Sequence, residues 1–324
     1  MLPGQVELGV GYRYSRAYHH FRETKRQRDR ERFGSNVENL QNIWDLKLAV
    51  GITDRLSVQL SLPYVYNEFS VPRPGGQMPG TRFVSDAQGI GDLTLVPRIW
   101  VLDPEGLPQG NIQLGVGVKF PTGDSEVKAY FPDGNGNGLR RRPVDQSIQP
   151  GDGGYGLILE ILGFIDIGPA RIILNGSYLA NPRNQNRTQP FFRSLRDPDN
   201  NGRTYNSVSD QYLGQLTVAF PVPLVPGLGL NFFGRVEGLQ PRDLIGPQDG
   251  FRRPGYAFSI GPGITFSFDH DHPFRDDPSA RVSHAFSVSV PITVYINRRP
   301  DAERNKGDAT FAEYIILAGY SVRF

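Results

Sequence analysis

Alternation with a period of two residues constrains this chain more than any other feature. After Arg55, the residues Leu56, Val58, Leu60, Leu62, Tyr64 and Tyr66 fall on one parity, and Ser57, Gln59, Ser61, Pro63 and Val65 on the other. Tyr256, Phe258, Ile260, Ile264, Phe266 and Phe268 alternate likewise with Ala257, Ser259, Gly261, Gly263, Thr265 and Ser267. Further on, Val282, Phe286, Val288, Val290, Ile292, Val294 and Ile296 alternate with Ser283, Ala285, Ser287, Ser289, Pro291, Thr293 and Tyr295. Successive side chains of a strand point to opposite faces, so each run has one apolar face and one polar or small face. No helical face collects these apolar sets. The pattern suits a wall with lipid on one side and a polar interior on the other.

The same reading places strands near 5–14, 40–50, 55–66, 88–101, 111–120, 153–165, 170–180, 209–220, 228–238, 255–268, 282–296 and 309–324. That makes about twelve, an even number of the kind that closes single-chain bacterial barrels. The expected fold class is all-β: a transmembrane antiparallel up-and-down barrel, with residues 1–324 as one domain. The connections alternate in length. Short ones fall at Gly51-Ile52-Thr53-Asp54, around Asp103-Pro104-Glu105-Gly106, at Asp166-Ile167-Gly168-Pro169 and from Pro221 to Gly227, with a longer one from Asp269 to Ala280. Long ones fall at 15–39, 67–87, 121–152, 181–208, 239–254 and 297–308. Short turns belong on the periplasmic side and long loops outside, which puts both termini in the periplasm. The long loops are rich in Gly, Pro, Asn, Asp and Arg, which favours turns over a second core.

Composition narrows the alternatives. The chain has 324 residues, 38 of them glycine and 14 tyrosine, and no cysteine. Disulfides, thiol catalysis and thiolate metal sites are therefore excluded. A net charge of +2 carries no nucleic-acid signature. No apolar run approaches the roughly 20 residues a spanning helix needs. The nearest, Leu157 to Leu179, is interrupted by Glu160, Asp166 and Arg171 and broken by Gly168-Pro169. A transmembrane barrel stays allowed, because its strands are only half apolar. No secretory signal is visible at Met1-Leu2-Pro3-Gly4, so an exported barrel with this start is expected to be the mature form or a chain with a replacement Met.

The last strand carries a separate signal. Phe324, Val322, Tyr320, Ala318, Ile316 and Tyr314 share one face, and Arg323, Ser321 and Gly319 the other. This resembles the C-terminal strand of outer-membrane proteins, which implies recognition of Tyr320, Val322 and Phe324 by the barrel-assembly machinery. Two internal motifs extend the resemblance: Gln88-Gly89-Ile90-Gly91-Asp92-Leu93, and Gly117-Val118-Lys119-Phe120-Pro121-Thr122-Gly123-Asp124. They resemble the family of outer-membrane channels associated with phenol meta-cleavage pathways, which pairs a "GIGD" strand with a "K-hydrophobic-PTG" strand end. The motifs cover about 20 residues, while strand order and length agree over the whole chain. The resemblance implies uptake of small organic compounds and supplies no catalytic residues.

The alternation turns Glu7, Arg13, Asp45, Lys47, Arg55, Asp92, Arg98, Lys119, Glu160, Arg235, Glu237, Glu313 and Arg323 toward the lumen. Facing lipid at mid-membrane, a Lys or Arg costs about 2–4 kcal/mol. Both signs occur, so strong selectivity for one sign of ion is not expected. These charges serve either a structural ion-pair network or a solute path, and the two can coexist. Gly9, Gly11, Gly115, Gly117, Gly261 and Gly263 leave room inside or let strands bend. Eight-stranded barrels are filled by side chains and sixteen-stranded ones hold wide channels, so about twelve strands leave a narrow path. Few residues precede the first strand, so any constriction must come from an outer loop folded inward.

The outer loops suggest partners. The stretch from His19 to Arg32 has an excess of Arg and Lys that can grip lipopolysaccharide phosphates. The alternative is a solvated charged loop. His19-His20 is read as incidental. Asp133, Asn135 and Asn137 before Gly138, and Asp197, Asp199 and Asn201 before Gly202, have calcium-like spacing. Neither has Glu at the twelfth position, and Asp145 and Asp210 lie close to it. Asn/Gly-rich turns explain the same spacing, so a weak calcium site is the most it supports. Catalysis has little support. Ser283 and His284 are neighbours in a strand and point to opposite faces. The expectation is a channel in the bacterial outer membrane for small, hydrophobic or aromatic solutes. The alternative is a structural barrel with a plugged lumen whose outer loops bind a protein partner or form a surface assembly.

Overall fold

The structure is a computed structural model, and it describes residues 2–72, 82–104, 106–107, 109–132, 138–183, 185–191, 205–247, 250–271, 281–299 and 308–324. The wall is built from β1 (Val6–Arg22), β2 (Glu38–Gly51), β3 (Leu56–Pro72) and β4, which runs as Arg82–Ile90 and Leu93–Trp100. Next come β5 (Gly110–Phe120), β6 (Gly156–Ile167), β7 (Ala170–Ala180), β8 (Gln211–Pro221) and β9 (Leu228–Leu239). It ends with β10 (Gly255–Asp271), β11, which runs as Arg281–Ser289 and Ile292–Asn297, and β12 (Asp308–Arg323). Each strand pairs antiparallel with the next, and β12 returns to pair with β1. The fold is therefore an all-β, closed, twelve-stranded antiparallel barrel. Closure removes the free edge, which is what lets a sheet satisfy its backbone in lipid.

Register shows why the alternation had to be so strict. Val10 lies opposite Leu46, which lies opposite Leu62, and this row faces out. One residue along, Gly11, Asp45 and Pro63 form the neighbouring row, which faces in. A slip of one residue would exchange the two faces. Leu46 is 54% exposed and Phe232 60%, within a belt of exposed Leu, Ile, Val and Phe that rings the barrel. An apolar surface of that extent is stable only against lipid or another apolar surface. A packed cluster of buried side chains sits elsewhere, over the long-loop end. There Phe69 and Ala87 meet Phe131, Val144, Ile148 and Phe191. Phe131 comes from a small hairpin, Lys128–Pro132 with Leu139–Pro143, in the connection from β5 to β6.

Two sequence expectations change. β1 continues to Arg22, β3 to Pro72, and β4 begins at Arg82, so parts of the expected loops 15–39 and 67–87 are strand. Beyond the apolar belt both faces carry polar groups such as Asn67, Ser70, Ser85 and Asp86, so the alternation that marks a strand in lipid fades. The parity of β11 also inverts. Phe258 pairs with Tyr295 and Ser259 with Thr293, leaving Val294 as a bulge. Tyr295 is therefore 44% exposed and Ile296 only 9%, the reverse of what unbroken alternation requires. Pro291, which has no N–H, lies at the break between the two segments of β11.

Candidate site in the barrel interior and outer vestibule

The two motifs at 88–93 and 117–124 form one knot. β4 breaks at Gly91-Asp92, where a Cβ on Gly91 would lie 2.7 Å from the Pro63 ring and 3.0 Å from the Pro150 carbonyl. Only glycine lets the chain pass there. Asp92 then accepts from the Gly123 N–H at 3.0 Å and the Asp152 N–H at 3.1 Å. Thr122 donates to the Gly91 carbonyl at 2.8 Å and accepts from the Leu93 N–H at 2.8 Å. Lys119 bonds Asp152 and lies 3.7 Å from Asp92. The break in β4 thus seats the start of the β5–β6 loop, the loop that carries the hairpin.

Below that loop, charges cross the lumen. Arg98 on β4 bonds Glu160 on β6 at 2.8 Å and Gln59 on β3 at 2.5 Å. Arg235 bonds Glu237 two residues on along β9 at 2.7 Å. Glu237 faces Arg13 on β1 at 3.7 Å. β1 and β9 are not neighbours in the sheet, so this pair spans the bore. Asp45 accepts from Ser61 and sits 3.3 Å from Lys47.

From this layer outward extends a cavity of about 2450 Å³. Its wall mixes rings and aliphatic groups, among them Phe69, Phe191, Phe251 and Phe311, with charged and polar groups. Loop contacts frame it. Asp145 takes both terminal nitrogens of Arg253 at 2.9 and 2.8 Å and accepts from the Ser147 backbone and hydroxyl at 3.0 and 2.7 Å. Burial pushes the Asp145 carboxyl up, but Arg253 and then Ser147 outweigh burial and hold it below the usual carboxylate range. Asp243 forms a second buried pair with Arg252 at 2.8 and 2.6 Å. Arg142 lies over the rings of Phe131 and Phe191, at 4.8 and 4.4 Å from their centres.

Arg13, Lys119, Glu160 and Glu237 stand in the cavity wall. Arg98, Arg235, Asp92, Asp45 and Lys47 lie in the contacts just described. Glu7 and Arg323 are partners across the β1–β12 seam near the short-turn end. Two positions differ from the expected lumen set. Arg55 is exposed in a short turn and donates to the Trp100 carbonyl at 2.9 Å, because β3 begins only at Leu56. Glu313 falls in a bulge, with Glu313 and Tyr314 both between the pairs Ser15–Ile315 and Ala17–Ala312. It reaches His19 at 2.5 Å and Arg26 at 3.5 Å instead.

Asp133, Asn135, Asn137, Asp197, Asp199 and Asn201 lie outside the described residues. Asp145 and Asp210, the carboxylates near the twelfth positions, are otherwise engaged. Asp145 holds Arg253, and Asp210 accepts from Tyr178, from the Asn181 N–H and from the Leu244 N–H, each at 2.7 Å. Among the described residues no group of three His, Asp or Glu side chains is placed to hold a metal ion. His284 bonds the Tyr320 hydroxyl at 2.9 Å and stacks on Phe268, away from the side to which Ser283 points. Phe324 closes the seam through backbone bonds with Val6 at 2.9 and 3.0 Å.

Sequence reading missed Arg140, Arg141, Arg142, Phe191 and Arg253 as wall residues. The Arg triplet was visible, but nothing local places it over the bore.

No family model matches the chain, and no curated protein matches it. Among solved structures it is similar to an outer membrane channel from Pseudomonas putida F1. That likeness covers 100% of this chain and 97% of the other, with 15% identity and a TM-score of 0.59. A FadL homologue from Pseudomonas aeruginosa aligns over 99% of this chain and 90% of its own, with 7% identity and a TM-score of 0.42. The P. putida toluene transporter TodX aligns over 99% and 89%, with 10% identity and a TM-score of 0.39. The first likeness establishes the fold as that of a bacterial outer-membrane β-barrel. The other two are too distant to add to it.

Proposed function

We propose that this barrel is a passive outer-membrane channel for small solutes with apolar or aromatic character. The observation that carries the reading is the cavity of about 2450 Å³ in the barrel, lined by both rings and polar groups. Pockets for single small ligands hold about 300–1,000 Å³, so this space is larger than one small ligand fills and leaves room for a solute path. The P. putida F1 structure that shares the fold is a channel. The exposed apolar belt is the surface that lipid would cover, and within the basic stretch from His19 to Arg32 the exposed Arg22, Lys25, Arg28 and Arg32 are the side chains that would meet lipopolysaccharide phosphates. The Arg13–Glu237 pair across the bore favours the second reading, a plugged barrel whose loops serve a partner. Purified protein in a planar bilayer separates the two. Stable conductance steps, with swelling of loaded liposomes in small aromatic alcohols, are expected. Silence in both assays would overturn the channel.

A further inference from the structure

We infer that the outer vestibule binds small organic anions, and that aromatic carboxylates are the class it holds. This deepens the channel reading, on which it rests for the solute's route. The whole chain carries a net charge of only +2. The cavity wall is far more one-sided: eight Arg or Lys side chains line it against two Glu. The charges also separate by depth. Arg13 faces Glu237, Lys119 bonds Asp152 and Arg253 is held by Asp145, so the inner and loop-clamping cations have partners. At the mouth, Arg140, Arg141 and Arg142 are exposed, and none has a carboxylate partner among the described residues. A cavity with low-dielectric walls and one sign of charge concentrates ions of the other sign.

The arginines stand beside rings. Arg142 covers Phe131 and Phe191, and Phe191 meets Phe69 edge to face at 5.2 Å. Farther round the wall, Arg298 lies 3.8 Å from the centre of the Phe311 ring and donates to the Thr310 carbonyl at 2.7 Å. A guanidinium takes a carboxylate through two parallel N–H bonds. Phe69, Phe131 and Phe191 are packed into the buried loop cluster, so a flat apolar body would meet the edges of Phe69 and Phe191 that reach the cavity wall and the half-buried Phe311. The combination suits a solute with both parts. A neutral aromatic would use only the rings, and a cation would be repelled.

Binding can be read without conduction, by calorimetric titration of detergent-folded protein with benzoate, benzyl alcohol or inorganic phosphate. Benzoate is expected to bind at least about tenfold tighter than benzyl alcohol, as one charge-assisted contact provides. The triple substitution Arg140→Gln, Arg141→Gln, Arg142→Gln should abolish that preference, while Arg171→Gln in a short-turn hairpin should keep it. Heat-modifiable migration on gels confirms that each variant is folded. Equal affinity for benzoate and benzyl alcohol, an unchanged preference in the triple variant, or tighter binding of phosphate than benzoate would overturn the inference. Benzoate binding with silent bilayers would uphold the site and sink the channel. Conductance without benzoate preference would do the reverse.

Discussion

Replacing Asp145 with Asn should open the vestibule without unfolding the barrel. Asp145 is 1% exposed, and its carboxylate takes a two-pronged bond from Arg253. It therefore ties the β5–β6 loop to the β9–β10 loop. Removing one partner of a buried ion pair costs about 3–5 kcal/mol. Two features reduce this here. Asn retains an oxygen for the Ser147 bonds, and the Arg253 side chain is 17% exposed, so water recovers part of its solvation. A local cost of about 2–4 kcal/mol remains. That raises the open population of the loop roughly 30- to 700-fold. The strand ladder shares none of these bonds, so heat-modifiable migration should be unchanged. Trypsin reports the opening, since Arg140 and Arg141 lie five and four residues before Asp145 on the same loop. Initial cleavage there should rise in proportion to the open population when reclosing outpaces cleavage. The wild-type clamp has a matching pH signature. A depressed folded pKa stabilises fully above the unfolded value, and that stabilisation is lost as pH falls through the folded one. The clamp should therefore persist at pH 5 and release only below the usual aspartate range. Equal cleavage rates for wild type and Asp145→Asn would refute the assignment of Asp145 as the tie.

Three further outcomes are expected. Deleting Phe324 should cost about 1.5–3 kcal/mol for its side chain, beside the two terminal backbone bonds with Val6, and leave refolding in detergent nearly normal, yet sharply reduce delivery to the outer membrane of cells. Arg323→Ala should be milder, and equal assembly of both variants in cells would remove the C-terminal signal. Arg26, beside Glu31, outweighs burial and, with His19, holds the Glu31 carboxyl down to about 2. Its contribution is thus complete above its ordinary value of 4.5 and is lost as pH falls toward 2. Hydrogen-exchange protection of residues 23–37 should fall across that window, and Glu31→Gln should remove the dependence. An epitope inserted in the 181–208 connection should label on intact cells and one at Thr53 should not; the opposite labelling would invert the topology.

What the sequence determined by itself is the wall. Lipid demands an apolar group at every second position, and that demand is local, so all twelve strands and the alternation of short and long connections are legible from parity alone. The C-terminal face of Tyr320, Val322 and Phe324 is legible for the same reason. Where lipid stops constraining both faces, the reading loses its footing: β1 and β3 run on past the expected loop starts, and bulges at Val294 and at Glu313-Tyr314 shift side chains that simple parity assigns elsewhere. The site itself was decided by tertiary structure. Asp45, Arg98 and Glu160 could be assigned to the interior, but the Arg13–Glu237 pair joins strands more than 200 residues apart and exists only because the sheet closes. The vestibule is further removed still. Its rings and arginines come from the β3, β5–β6, β7–β8, β9–β10 and β11–β12 regions, brought together by a break at Gly91-Asp92 and by buried pairs such as Asp145–Arg253. Loop sequence carries no periodic constraint from which such long-range packing could be read, and only the closed barrel fixes which loops face one another across its mouth.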